Sequence, residues 1–273
     1  MEKAIREEIV RFVMTSPENL QEDGATPYFE EPLVGFAAAD DPLFIEYKKI
    51  IGDFHLTPGE FLSEPAGASS AAQGTVISWV LPLTAVTRKS NRVEDLWPSR
   101  AWARTRHFGE VLNCSLRRHV VDYLQQRGSR AVAPQLSERW KPVDAPDGPT
   151  SSWSERHAAY AAGLGTFSLN DALITPKGIA HRLGSVITDL KLSPTPVTAA
   201  HYRWNCLRFR DGGCGVCINR CPVGALSDAG HDKEICRNYV YGTVPRTVGE
   251  QYGVTATGCG LCQVKIPCEE QIP

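Results

Sequence analysis

Residues 214–222 read Cys214-Gly-Val-Cys217-Ile-Asn-Arg-Cys221-Pro222. Two thiols two residues apart are followed, three residues on, by a third thiol and a proline. The short gap lets two thiolates grip neighbouring irons of one [4Fe–4S] cubane. The thiol before the proline then points away, toward a second cluster. Such an arrangement needs further thiols, and they follow: Cys236, then Cys259-Gly-Leu-Cys262, then Cys268. Eight of the nine cysteines fall between Cys206 and Cys268, and the first 205 residues hold only Cys114. A disulfide framework is the habit of short secreted chains. A chain of 273 residues without an evident export signal fits that class poorly, so the clustered thiols read as metal ligands.

The spacing matches the latter part of the bacterial two-cluster ferredoxin run. Its leading cysteine is missing, since position 211 holds Asp211, and Cys206 can replace it through a longer loop. The ferredoxin rule swaps the cysteine after each pair between clusters. It assigns Cys206, Cys214, Cys217 and Cys268 to one cubane, and Cys221, Cys236, Cys259 and Cys262 to the other. Asp211 as a ligand, leaving Cys206 free, is the competing assignment. Two four-cysteine zinc sites are the plain alternative, but zinc pairs have no need of Pro222. Cys114 lies mid-helix on an apolar face and reads as a buried, inert thiol.

The averages exclude several classes. Hydrophobic residues make up 42% and charged residues 22%, enough for a packed core. The net charge of -2 gives no basic footprint for wrapping nucleic acid, although a local patch remains compatible with it. No apolar run approaches the ~20 residues of a membrane helix. Val76–Val86 is short and interrupted by Ser78, Pro82 and Thr84. The charged N-terminus has no apolar core, so a cytoplasmic protein without membrane contact is expected.

The longer front part patterns as α/β. Ile5, Ile9, Phe12 and Val13 recur at helical spacing over Glu2–Met14, and Asp41-Pro42 can start a second helix. Thr75–Leu81 reads as a buried strand. Ala101–Gln126 reads as a long helix with Val111, Leu112, Leu116, Val120 and Leu124 on one face and Gly128 as its stop. A short strand is expected over Arg130–Ala133, a loop over Pro142–Ser152, and a helix over Ser154–Ala162. Ala172–Thr175 and Gly184–Leu190 read as strands and are candidates to pair with one another. Pro194 and Pro196 mark a boundary. The expectation is an α/β cofactor or substrate domain over 1–196 and a two-cluster [4Fe–4S] ferredoxin-like domain over 197–273.

A ferredoxin needs only the last ~70 residues, well below an ordinary domain, so the remainder requires a purpose of its own. It carries neither a dinucleotide fingerprint nor a phosphate-binding P-loop. Asp53-Phe-His55-Leu-Thr-Pro-Gly59 narrowly misses an Asp-x-His-x-x-Gly corrinoid element, its glycine one place late, and His55 reads as an ordinary loop histidine. Trp153-Ser-Glu155-Arg156-His157-Ala-Ala-Tyr160-Ala-Ala-Gly163-Leu-Gly165 is more unusual. His157 and Tyr160 share a helix face, and both can donate protons. Glu155 and Arg156 point apart. The bland reading is a helix packed through its alanines, with Gly163 as its C-cap.

Glu155-Arg156, then Gly163-Leu-Gly165, Leu173-Ile174-Thr175, Gly184-Ser185 and Asp189-Leu190, leading into a two-cluster cysteine module, resembles the epoxyqueuosine reductases, relatives of the cobalamin-dependent reductive dehalogenases. The likeness covers roughly residues 100–268, and more faintly Gly35-Phe36-Ala37 and the strand at 75–82. The resemblance implies a nitroreductase-like N-terminal domain holding a base-off cobalamin (corrinoid), with the ferredoxin module closing over it and reducing cobalt. It implies cofactor contacts from Glu155, Arg156, Gly163, Gly165, Gly184 and Ser185. An Asp in a Val-Asp-x-x-Pro stretch is the family's proton donor; Val143-Asp144-Ala-Pro146 matches it in type, with the proline one place early, and Asp147 is a rival. Both are also natural turn formers.

Thr166-Phe167-Ser168-Leu169 stands where the family has Trp-Ile-Gly-Lys, and the sequence given stops five residues after Cys268, short of the family's helical extension that helps hold tRNA. On those grounds tRNA is not an expected partner. The expected activity is a cytosolic iron–sulfur reductase of a small molecule, fed by reduced ferredoxin or flavodoxin, with Asp144, Asp147, His157 and Tyr160 as protonation candidates. The competing expectation is an electron-transfer or corrinoid-reactivating partner with no substrate of its own.

Overall fold

The computed structural model describes residues 1–63, 73–146 and 148–273. Its elements in order are α1 (Glu2–Thr15), β1 (Leu33–Ala38), α2 (Leu43–Ile51), α3 (Pro58–Leu62), β2 (Thr75–Pro82), α4 (Ala85–Arg92), α5 (Arg100–Gln125), β3 (Ala131–Val132), β4 (Pro142–Ala145), β5 (Gly148–Ser151), α6 (Glu155–Ala161), β6 (Thr166–Phe167), β7 (Leu173–Ile174) and β8 (His181–Thr188). The cysteine-rich end adds α7 (Leu207–Arg210), α8 (Val216–Asn219), β9 (Leu226–Ser227), β10 (Gly230–His231), α9 (Lys233–Arg237), two π-helical stretches over Asn238–Thr243 and Pro245–Gly249, and α10 (Glu250–Tyr252). The chain is thus mixed α/β with small antiparallel sheets.

One four-stranded antiparallel sheet, ordered β1-β2-β8-β3, organises the front part. Side chains on a strand alternate between faces. Ile77, Trp79 and Leu81 of β2 accordingly join Ile5, Ile9 and Val13 of α1 and Leu112, Leu116 and Val120 of α5. Val76 and Val80 join Phe44 and Tyr47 of α2, Phe61 of α3 and the alanines of α6 on the other face. Both faces are covered, which is why every residue of β2 is buried. Gly35 in β1 permits the close approach of α6, because a Cβ there would lie 2.3 Å from the Ala162 carbonyl oxygen.

Most of the expected elements form, with three differences. Val111 is 49% exposed, so the buried stripe of α5 turns toward Trp102, Ala103, Gly109, Leu112 and Leu116. Pro142–Ser152 is a hairpin of β4 with β5, not a loop: its Pro, Asp and Gly residues serve the turn and edges of two short strands. The two strands thought to pair do not. β7 pairs with β6, while β8 pairs with β2 and β3, because β8 carries the long apolar run that the sheet centre needs. Among the described residues no helix is long and apolar enough to cross a membrane.

Candidate functional site

The eight clustered thiols fall into two groups. Burial, and then the neighbouring thiols of Cys206, Cys217 and Cys214, push Cys268 up to about 12. Burial, then Cys206 and Cys214, push Cys217 up to about 11. In the second group, burial raises Cys259 to about 12, with Cys236 and Cys221 adding to it. Cys262 is raised well above the usual thiol value, by burial and then by Cys259, Cys236, Cys217 and Cys221. Cys217 therefore stands where the two groups meet. Asp211 belongs to neither group: it is exposed, and its carboxylate accepts from the Gly213 amide. Thiols raised this far are neutral until a metal displaces their protons. Among the described residues no three His, Cys, Asp or Glu side chains gather tightly enough to hold a single metal ion.

The group of Cys206, Cys214, Cys217 and Cys268 is wrapped in apolar side chains, with Leu169, Ile174, Ile179 and Ile266 around it. The group of Cys221, Cys236, Cys259 and Cys262 instead lines a cavity of about 690 Å³. The facing wall comes from α5 (Trp102, Arg106, Glu110, Arg117), the start of α6 (Glu155, Arg156) and the start of β8 (His181, Arg182, Leu183). The loop between β6 and β7 closes one side. There Asn170 donates to the Cys262 carbonyl over 2.9 Å.

A charged quartet sits in that wall. Arg117 donates to Glu110 over 2.8 Å and to Glu155 over 3.3 Å, and Arg182 also pairs with Glu110. Burial alone would raise Glu110, but Arg182 and Arg117 together hold it down to about 2. Glu155 is more deeply buried, and burial keeps its pKa above the usual carboxylate range despite Arg117 and the 2.6 Å hydrogen bond from Ser185. Arg182 is lowered to about 10 by burial and then by the nearby Arg106. On the opposite side His231 bonds Asp171 over 3.0 Å and stands near the Cys236 thiol. Burial opposes its charge, but these partners win and raise it to about 9.

Of the residues singled out in the sequence, Glu155 and Arg156 line the cavity. Gly163, Gly165, Gly184 and Ser185 lie behind it. A Cβ at Gly165 would meet the Ile174 carbonyl at 2.5 Å, and one at Gly184 would meet Trp79 and Asn113, so these glycines permit close packing. Ser185 accepts from Trp153 and donates to Glu155. His157 and Tyr160 turn away from the cavity: His157 packs between Tyr47 and Phe167, and Tyr160 against Phe167. Burial drops His157 to about 3, so it is neutral near pH 7. His55 also lies outside the cavity, stacked on Trp153 and accepting from the Ser154 amide. Asp144 is exposed on the β4–β5 hairpin and pairs with Arg237, a cavity residue. Asp147 lies outside the described residues. Cys114 is half-buried beside Glu110 and Arg117, and burial raises its thiol.

Sequence reasoning missed Glu110, Arg117, Arg182, Arg106, Asp171, His231 and Lys233. The available signal was Glu110 and Arg117 on one stripe of α5, seven residues apart and flanking Leu112 and Leu116.

No protein-family model matches the chain. The epoxyqueuosine reductase of Bacillus cereus is 30% identical over 123 residues, covering 43% of this chain and 30% of that protein. That of Francisella cf. novicida is 29% identical over 125 residues, covering 44% and 33%. These matches span about a third of the relatives' length. A solved epoxyqueuosine reductase from Bacillus subtilis, with its catalytic Asp loop swung out of the active site, superposes on 99% of this chain and 69% of its own with a TM-score of 0.56 at 18% identity. Another, solved with an epoxyqueuosine-modified tRNA-Tyr stem loop, covers 98% of this chain and 66% of its own with a TM-score of 0.54 at 19% identity.

The last of these overturns the expectation that tRNA is no partner and that the substrate is a free small molecule. It also removes the alternative of an electron carrier without a substrate. Net charge misled because it averages the whole chain: the cavity wall carries six Arg or Lys side chains against three carboxylates. The point at which a sequence stops was no better a guide. This chain resembles the epoxyqueuosine reductases, by sequence over part of its length and by fold over nearly all of it.

Proposed function

We propose that the chain is an iron–sulfur reductase of a modified base in a tRNA stem loop, of the epoxyqueuosine reductase type. The observation that carries this is the shared cavity: four thiols form one wall, and a buried Glu110–Arg117–Glu155–Arg182 quartet with further arginines forms the other. Residues 197–273 act as a two-cluster ferredoxin-like module, and residues 1–196 as a nitroreductase-like substrate domain. Cys206, Cys214, Cys217 and Cys268 hold an outer [4Fe–4S] cluster, and Cys221, Cys236, Cys259 and Cys262 an inner one. The spacing Cys214-x-x-Cys217-x-x-x-Cys221-Pro222 suits a four-iron cluster better than zinc.

A corrinoid fits the same cavity. The volume lies in the range of cofactor sites. Three buried polar atoms on its wall lack a protein partner, namely His181 Nδ1, Arg182 Nε and Arg117 Nε, and a ring fringed with amides offers both donors and acceptors to them. Arg156, His181 and Arg182 would hold it. When bound it supplies a low-potential metal centre able to reduce an epoxide, the family chemistry.

Reducing an epoxide takes two electrons and two protons whichever carbon–oxygen bond is cut. The thiol groups meet at Cys217 and Cys262, which suits passage of single electrons inward. Asp144, on the exposed β4–β5 hairpin and paired with the cavity residue Arg237, takes up a proton from solvent and hands it to the substrate oxygen. Arg106 and Lys233 line the cavity with no hydrogen-bond or ion-pair partner among the described residues, and they meet phosphates of the stem loop.

The test is anaerobic reconstitution with iron and sulfide, followed by incubation with cobalamin, a chemical one-electron reductant and an epoxyqueuosine-bearing stem loop. Mass spectrometry of the base should show reduction only when all are present. An intact base with fully loaded protein would overturn the proposal.

A further inference from the structure

Lys233, Arg237 and Tyr241 recur every four residues along α9 and the π-helical stretch that continues it, and all three line the cavity. Residues at that spacing share a helix face. The segment carries two tyrosines with opposite surroundings. Tyr239 is 6% exposed, stacks on Trp97 with ring centroids 5.7 Å apart, and donates to the Leu96 carbonyl. It anchors the stretch to the connection between α4 and α5. Tyr241, two residues on, is 67% exposed, the most of any Phe, Tyr or Trp among the described residues. Among those residues its ring meets no other ring and its hydroxyl makes no hydrogen bond. The other exposed aromatics, Tyr202 and Trp204, have His201 as a ring neighbour and do not line the cavity. A lone exposed tyrosine on an ordinary surface needs no explanation. This one stands in line with two cations, where a large cavity meets solvent.

We propose that Tyr241 is a stacking platform for an unpaired nucleobase of the loop, a neighbour of the base that is reduced. This rests on the reading of the ligand as a tRNA stem loop. Unpaired bases of RNA loops are held by stacking on aromatic rings, beside cations that take the phosphates. The base that is reduced has to reach the thiol-lined interior. A ring as exposed as Tyr241 stands at the opening, so the base it covers is the next one along the strand. Lys233, on the same face, is placed for the phosphate of that stretch. Every base has a π-face, so the contact fixes where the strand lies and reads little sequence. Tyr241 acts in binding alone, and no covalent bond forms or breaks at it.

The experiment uses the full chain, loaded anaerobically, and a fluorescently labelled, epoxyqueuosine-bearing stem loop, with anisotropy read at several salt concentrations. Tyr241→Ala should weaken binding about tenfold, the usual worth of one base on one ring. Its salt slope should match wild type, because no cation is removed. Tyr241→Phe, which keeps the ring, should bind as wild type does. Two further stem loops carry an abasic site on one side or the other of the modified base. One of them should weaken wild-type binding by a similar factor, and Tyr241→Ala should then add little, since the two changes remove the same contact. Unchanged affinity in Tyr241→Ala would overturn the inference, as would a loss equally large in Tyr241→Phe. So would a loss that adds in full to both abasic sites, which a general structural defect would produce. Absence of any binding by wild type would instead fail the stem-loop reading, and this inference with it.

Discussion

Arg117, midway along α5, reaches Glu155 at the first turn of α6 over 3.3 Å, with 2% and 14% of the two side chains exposed. The pair joins two elements on opposite faces of the central sheet, beside Leu183 and Ser185 of β8. Its energetic value lies in what happens when one partner goes. Arg117→Ala leaves Glu110 and Glu155 facing each other without the cation between them. Breaking a buried pair costs about 3–5 kcal/mol, and denaturant unfolding of the variant should show a loss of that size. Glu155→Gln keeps the hydrogen-bonding shape toward Ser185 and should cost less. Equal losses from both would contradict the pairing.

Three histidines withdrawn from water make stability depend on mild acid, among them His181, which burial holds at about 4. His55 is 1% exposed and held at about 4, by burial first and then by Lys48. His157 is held at about 3 for the same first reason, then by Arg156. Below the ordinary value near 6.5 the unfolded chain binds protons at these positions that the folded chain refuses. Stability therefore falls as pH drops from 6.5 toward 4, by about 1.4 kcal/mol per pH unit for each such group. Unfolding midpoints measured across that window should fall in wild type. They should fall less steeply in His55→Gln, whose amide oxygen can still accept from Ser154.

The thiol groups predict a metal count. Cys206→Ser and Cys236→Ser each remove one ligand from a different group. Each should reduce bound iron from about eight toward four per chain. Cys114→Ser and Asp211→Ala should leave it unchanged, since Cys114 lies beside Glu110 and Arg117 and Asp211 is exposed, facing Gly213. Retention of full iron by Cys206→Ser, with loss in Asp211→Ala, would reverse the assignment of the missing first ligand.

What the sequence discloses and what it hides follow from how local each feature is. Thiols are scarce, and their spacing is set by iron chemistry, so their grouping is written in a stretch of about sixty residues. Helices α1 and α5 announce themselves through an apolar repeat of 3–4 residues. Val111 belongs to that repeat by type and still faces solvent, because a broad stripe leaves its edge to be decided by the neighbouring sheet. The β4–β5 hairpin hides for a different reason: Pro142, Pro146, Gly148 and Pro149 look like loop, yet an isolated two-stranded hairpin tolerates them as edges. The pairing of Arg182 with Glu110, and of His231 with Asp171, spans 72 and 60 residues of chain. No periodicity carries such information, so the charged wall of the cavity emerges only on folding.

The proton donor can be separated from its neighbours by substitution. Asp144 reaches the cavity rim through Arg237, whereas His157 and Tyr160 pack on the far side of α6. Asp144→Asn should lower turnover of the stem-loop substrate by about 10²–10⁴, the usual contribution of a positioned acid, with iron content intact. His157→Gln and Tyr160→Phe should change turnover little, and any effect of the first should appear as lost stability. A loss of turnover in Tyr160→Phe equal to that of Asp144→Asn, at unchanged stability, would move the acid to the other face of the helix.

Binding of the nucleic acid should depend on salt, and on particular cations. Arg106 lies on α5 and Lys233 at the start of α9, on opposite walls of the cavity, and neither makes a hydrogen bond or ion pair among the described residues. Arg237, by contrast, is already paired with Asp144 and Glu234. A cation that meets a phosphate releases counterions, so the logarithm of the binding constant falls with the logarithm of salt concentration in proportion to the contacts made. Arg106→Ala and Lys233→Ala should each weaken stem-loop binding and reduce the salt slope by about one contact, nearly independently of the base carried. Lys3→Ala, on the solvent face of α1, should leave both unchanged. Fluorescence anisotropy with a labelled stem loop at several salt concentrations measures affinity and slope together. Full wild-type slope in the Arg106→Ala, Lys233→Ala double variant would place the nucleic acid on another surface and leave the excess positive charge of the cavity for a different anion.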